Sequence, residues 1–172
     1  MVGVIMQKTA ETYRVDIGSP SLANLSNTAF NSATKRHRPN LKLGQGVSCH
    51  VTGANKYLDV ELSCEDPSSQ KDWVTNEVYF GALPEGGVLV QLAVSLGRKL
   101  VEGGKEVLDI VGRHLKPFEI AVGMNGRIYI KTAEGDYLRA VLVKKVLEEL
   151  KFSTPLLELE STCQDLEGRL RK

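Results

Sequence analysis

Gly123-Met124-Asn125-Gly126 separates two strand-like runs, Phe-Glu-Ile-Ala-Val at 118–122 and Arg-Ile-Tyr-Ile-Lys at 127–131, in a chain of 172 residues. As a bare pattern, Gly-x-x-Gly is the loop with which one class of RNA-binding fold clamps a nucleic-acid backbone. That clamp has to join two helices, whereas this tetrad joins two strands. The placement therefore predicts a tight turn. Glycine supplies positive φ without steric cost, and Asn125 tolerates the left-handed region and can hydrogen-bond nearby backbone. Gly123, Asn125 and Gly126 are read as structural, with direct RNA contact as the lesser alternative.

Working outward, residues 88–94 read as a strand and 95–101 as a short helix. A second helix over 105–115 carries Val107, Leu108, Val111 and Leu115 on one face. Pro117 stops it. After the two strands around the tetrad, residues 135–151 predict a long helix with Leu138, Val141, Leu142, Val146 and Leu150 as its buried stripe. The order β, α, α, β, β, α over 88–152 is that of a type I KH domain. In such a domain the clamp lies between the first two helices. Here that stretch is Glu102-Gly103-Gly104-Lys105, which contains no Gly-x-x-Gly. Residues 153–172 form the C-terminal helix region, in which the amphipathic segment 156–170, after Pro155, predicts an extra helix that docks on the body or on a partner.

Residues 1–64 carry a different period. Tyr13, Val15 and Ile17 alternate with polar residues, as do Val47, Cys49 and Val51, and Leu58, Val60 and Leu62. Residues 2–7 form a further strand candidate, joined to the Tyr13 run by a hairpin-length loop, and 21–25 supply a fifth. Five short strands with one irregular insert after the third fit a small Greek-key barrel of the OB type. The expected class is α+β and multi-domain: a five-stranded OB-type barrel over 1–64, a connecting segment over 65–87, then the KH domain.

Between Ile17 and Leu58 there is no carboxylate, while Lys35, Arg36, Arg38, Lys42 and Lys56 all fall inside that window, a local charge of +5. Lys35-Arg36-His37-Arg38-Pro39 follows Phe30 and Asn31, so cations, an imidazole and an aromatic ring are expected in one connection of the barrel. A cationic groove that tracks phosphates needs fixed positive charge more than sequence-reading geometry. These five cations are the predicted RNA-binding residues; the bland reading is a solvated basic loop. In the connecting segment, Trp73, Tyr79 and Phe80 could stack bases or plug an interface, and packing is the commoner use of such aromatics.

The whole chain is nearly neutral, with 22 Lys plus Arg against 21 Asp plus Glu, so only the distribution of charge points to an acidic partner. Cys49, Cys64 and Cys163 lack the paired spacing of zinc sites and read as reduced thiols of an intracellular protein, with a contact between Cys49 and Cys64 left open. No apolar stretch approaches the roughly 20 residues that span a bilayer. No leader pattern opens the chain, so neither membrane attachment nor secretion is expected. His37, His50 and His114 are scattered, no phosphate-binding glycine loop with Lys-Ser/Thr occurs, and Asp59, Glu61, Glu65 and Asp66 read as solvated acids before they read as a metal site. An enzyme is not expected, nor a cofactor or metal.

Ala33-Thr34-Lys35-Arg36-His37-Arg38-Pro39-Asn40, the run 123–128 and the order of barrel then KH fold together resemble the non-catalytic cap subunits of the eukaryotic RNA exosome, of the ribosomal-RNA-processing protein forty type. The likeness covers roughly residues 2–150. It implies an S1-type barrel and a glycine-asparagine-glycine turn held near the domain interface. It further implies a ring of RNase PH-like subunits as partner, with single-stranded RNA threaded to a separate 3'-to-5' exoribonuclease. Location in nucleus, nucleolus and cytoplasm is implied too; no DNA or membrane partner is. Members of that family carry an additional N-terminal β domain, and this chain begins within the first barrel strand. The alternative is a free-standing single-stranded RNA-binding module.

Overall fold

The computed structural model describes residues 1–31, 33–34, 38–65, 80–115, 117–133 and 136–149, and in the last stretch Glu160, Ser161, 163–165 and Gly168. Lys35, Arg36, His37, Trp73, Tyr79 and most of the expected C-terminal helix lie outside them. The chain divides into two compact units, Met1–Glu85 and Gly86–Lys172.

In the first unit β1 (Val2–Lys8) pairs antiparallel with β2 (Thr12–Asp16), and β2 with β3 (Ala23–Phe30). β6 (Leu58–Cys64) lies parallel to β3, and β5 (His50–Asn55) runs antiparallel to β6. β4 (Gly46–Ser48) pairs with the other edge, β1. Since β4 and β5 are one run of chain bent at Cys49, that run binds both edges of the sheet and closes it. The result is the five-stranded barrel expected of an OB fold. Alternation places Tyr13, Val15, Leu25, Val47 and Leu62 inside, with Ile5, Ala23, Phe30 and Leu41 completing the core.

Two differences from the sequence reading have physical causes. β3 runs to Phe30, not to residue 25, because its inward position 27 is a polar asparagine that masks the alternation. Asn27 is nevertheless buried, its amide donating to the Ala10 carbonyl at 2.8 Å and its N–H to the Glu11 carbonyl at 3.0 Å, so the polar group is satisfied where it sits. Phe30, expected beside the cations, instead belongs to the core. And β7 (Gly81–Ala82), within the segment read as a connection, pairs with β4.

The second unit runs β8 (Val88–Gln91), α1 (Val94–Gly103), α2 (Lys105–Leu115), β9 (Phe118–Val122), β10 (Arg127–Thr132) and α3 (Tyr137–Glu149). β10 lies between β8 and β9, antiparallel to both. This is the type I KH order. Val90, Leu100, Val111, Leu115, Ile128, Ile130, Val143 and Leu147 fill its core, joined by Cys163. Glu160 lies 3.6 Å from the Arg113 guanidinium of α2.

α3 packs a different face from the predicted stripe. Ala140, Val143, Val146 and Leu147 are buried, Leu142 is half-buried, Leu138 and Val141 are exposed, and Leu150 lies outside the described residues. Apolar residues occur nearly all round this helix, so period alone could not select its face. The buried face is the one that carries the small residue Ala140 together with Val143, Val146 and Leu147.

All three cysteines are free and buried. Burial pushes the Cys49 thiol up to about 11, and burial together with Cys49 raises Cys64 further. A folded value above the ordinary thiol value of about 9 means that the protonated form is favoured by folding. That contribution is complete below pH 9 and is lost as pH rises through 11. At pH 8 an aromatic disulfide reagent is therefore expected to label native Cys49 and Cys64 far more slowly than the denatured chain, where all three thiols react. Rapid labelling of the native barrel would contradict this burial.

Candidate nucleic-acid interface

Among the barrel's cations, Arg38 and Lys8 are positioned at the hairpin between β1 and β2. Tyr13 is inward-facing, and its hydroxyl donates to the Pro39 carbonyl at 2.6 Å and accepts the Leu41 N–H at 3.4 Å. Leu41 itself is buried. One side chain thus ties the loop between β3 and β4 to the core. Two surface contacts add to it: the Arg38 guanidinium donates to the Ala10 carbonyl at 3.0 Å, and the Lys8 ammonium to the Asn40 amide oxygen. Lys8 also lies 5.7 Å from the Tyr13 ring centroid. Tyr13→Phe is expected to cost about 1 kcal/mol, the net worth of the hydroxyl's bonds. It should also speed hydrogen exchange at the Leu41 amide. Unchanged exchange there would show that the loop is held by other means.

The predicted cations therefore do not form one cluster. Arg38 sits at the hairpin end of the barrel, joined there by Lys8, which the sequence reading passed over as part of a turn. The recoverable signal was a cation at the mouth of a hairpin facing a basic connection. Lys42 is paired with Glu85 at 2.7 Å, both well exposed, so its charge is largely offset locally. Lys56 lies on the turn between β5 and β6, at the opposite end. Lys35 and Arg36 lie outside the described residues.

On the outer surface between these ends, Arg14 of β2 donates to Asn24 of β3 at 2.6 Å and to Asp59 of β6 at 2.7 Å. Asp59 is thereby engaged in an ion pair. Among the described residues, no three His, Cys, Asp or Glu side chains are grouped to hold a metal ion.

In the second unit the helix–helix junction that would carry a KH clamp is a single residue, Gly104. A Cβ there would stand 2.5 Å from the Leu100 Cα, so the tight passage from α1 to α2 requires glycine. The tetrad at 123–126 is the turn its sequence predicts. The Gly126 N–H bonds the Gly123 carbonyl at 3.0 Å, the Gly123 N–H bonds the Arg127 carbonyl at 2.8 Å, and Gly126 has φ +77°. The turn is fastened to its own unit: the Leu92 N–H donates to the Gly126 carbonyl at 2.7 Å, and the Gln91 amide lies 3.4 Å from the Asn125 carbonyl. A Cβ on Gly97 of α1 would meet the Gly126 Cα at 2.8 Å and the Gly123 oxygen at 3.0 Å. Helix and turn touch backbone to backbone.

Residues 1–74 match the family described as exosome complex component RRP40, S1 domain, and residues 87–136 match a KH domain family. The exosome complex component rrp40 of Schizosaccharomyces pombe is 34% identical over 170 residues, covering 99% of this chain and 67% of that protein. The RRP40 proteins of Homo sapiens and Saccharomyces cerevisiae are 34% and 32% identical, over 76% and 78% of this chain. The chain spans about half the length of these two, 45% and 54%. A crystal structure described as that of an exosome complex RNA-binding protein has the same fold, with a TM-score of 0.70 at 20% identity over 99% of this chain and 94% of its own. With both halves matched in the observed order, the chain belongs to the RRP40 family of exosome components.

Proposed function

We propose that this chain is a non-catalytic, RNA-binding cap subunit of an RNA exosome. In this reading it stabilises a ring of RNase PH-like subunits and guides single-stranded RNA to a 3'-to-5' exoribonuclease, in rRNA processing and RNA decay. The observation that carries the reading is the conjunction of two units, each matched to its family in the RRP40 order, with a cationic loop tied to the barrel. RNA contact falls to the hairpin end of the barrel, where Arg38 and Lys8 stand; Lys35 and Arg36, which precede Arg38 in the sequence, remain RNA-binding candidates by their charge alone. The stretch between α1 and α2, where a KH clamp would stand, is one residue, Gly104, and contains no Gly-x-x-Gly. Nucleus, nucleolus and cytoplasm are the compartments that go with this role.

Recovery of the tagged chain with RNase PH-like subunits, identified by mass, is the expected outcome of a pull-down from its own cells. A monodisperse monomer that retains full RNA affinity and recovers no such subunit would sink the cap reading. It would leave the free-standing RNA-binding module in its place.

A further inference from the structure

We infer that Cys49 and Cys64 are a thiol pair that small disulfides oxidise to an intramolecular disulfide, a redox-sensitive staple on the strand run that closes the barrel. The pairing of β5 with β6 sets His50 opposite Ser63 and Val51 opposite Leu62. One step further along the same ladder, Cys49 stands opposite Cys64. Side chains alternate between faces, so both cysteines point to the same side as Leu62, into the core, where both are buried.

Backbone bonding brings the two close. The Cys49 N–H donates to the Met1 carbonyl at 2.9 Å, and its carbonyl accepts from the Met1 nitrogen at 2.5 Å, so both polar groups of Cys49 face the chain that leads into β1. Toward β6 the pair is therefore of the non-hydrogen-bonded kind, whose Cα atoms lie about 4.5 Å apart, against about 5.5 Å in a hydrogen-bonded pair. That spacing falls within the range a disulfide spans, roughly 4.4–6.8 Å. The Cys64 sulfur is already turned that way: Sγ donates to the Ser48 carbonyl at 3.3 Å, the peptide group that leads into Cys49.

Position gives the bond its effect. Cys49 is the bend at which one run of chain passes from β4 on β1 to β5 on β6, so a bond from it to Cys64 ties that bend to the strand it closes against. The chemistry is thiol–disulfide exchange. With a glutathione-type disulfide as oxidant, the Cys49 thiolate attacks one sulfur and releases one small thiolate. The Cys64 thiolate then attacks the Cys49 sulfur of the mixed disulfide and releases the second. The two cysteines give up two electrons and two protons, and the oxidant becomes two thiols. Burial holds both cysteines protonated and keeps the oxidant out. The first step therefore belongs to a barrel whose closing run has opened, and reclosure buries the product away from reductant. The bond records opening of the barrel under oxidising conditions.

The test holds the full chain at pH 8 in glutathione disulfide under native conditions, then alkylates it in denaturant and measures its mass. The chain is expected to lose two hydrogens and to resist alkylation at Cys49 and Cys64, while Cys163, in the core of the second unit, is alkylated. Trypsin cuts between the pair at Lys56, so the bridge appears as two linked peptides. Cys163→Ser, which leaves these two as its only thiols, should give the same bridge. In the oxidised chain the slowest-exchanging amides of the first unit are expected to exchange roughly a hundredfold more slowly, the effect on global opening of closing a loop of about 15 residues. Those of the second unit should not change. Full alkylation at both positions, glutathione adducts without a bridge, or a bridge that leaves exchange in the first unit unchanged or faster would each overturn the staple.

Discussion

Gly126→Ala is expected to destabilise the second unit by about 2–4 kcal/mol, a large fraction of the roughly 5–15 kcal/mol that holds a domain folded. Two costs add. At φ +77° an alanine Cβ crowds the following carbonyl, and the same Cβ would stand 2.6 Å from the Leu92 oxygen, a backbone atom that cannot swing aside. Shifting Leu92 would also strain its N–H bond to the Gly126 carbonyl. Gly97→Ala should act in the same direction through the other side of the contact. A glycine inside a helix ordinarily gains up to about 1 kcal/mol on becoming alanine. Here that gain is outweighed by collision with the Gly126 Cα at 2.8 Å. Gly103, at the end of α1, supplies the control. A Cβ there meets nothing within 4 Å, so Gly103→Ala should be neutral or slightly stabilising. Urea midpoints by circular dichroism would rank the three. Equal midpoints for Gly126→Ala and Gly103→Ala would remove the turn from its structural role.

The second large effect concerns RNA. Lys35, Arg36 and Arg38 changed together to alanine are expected to weaken single-strand binding by at least tenfold at low salt. They should also reduce the slope of log affinity against log salt by about 2, three phosphate contacts at roughly 0.7 each. Lys105→Ala, beside the one-residue helix junction, should leave the slope as it is. Fluorescence anisotropy between about 50 and 200 mM salt spans the range in which such contacts are lost. An unchanged slope in the triple variant would move the interface off this loop. A reduced slope in Lys105→Ala would reopen the KH unit as an RNA contact.

Legibility in the sequence followed the range of the interactions involved. The turn at 123–126 and the strands around it were readable because glycine φ freedom and strand alternation act within a few residues. The element order of the KH unit was readable for the same reason. Phe30 was misplaced because Asn27 breaks the alternation, and only Ala10 and Glu11, brought near by the β1–β2 hairpin, make a buried asparagine affordable there. The α3 face was misread because a helix apolar on several sides is oriented by the sheet it meets. The candidate site was legible as a set of charges but not as an arrangement. Lys42 is offset by Glu85, forty-three residues away in sequence, and Lys8 joins Arg38 only because Tyr13 ties the loop down.

By itself, then, the sequence determined the two-unit α+β order, the conversion of a clamp-like tetrad into a turn and the concentration of positive charge in the barrel half, since these depend on local backbone preference and composition. Tertiary structure alone decided that the strand bent at Cys49 closes the barrel and that Gly97 and Gly126 meet backbone to backbone. It also decided which cations stand together and that Cys49 stands opposite Cys64. Those outcomes depend on contacts between residues distant in the chain, which no local pattern encodes.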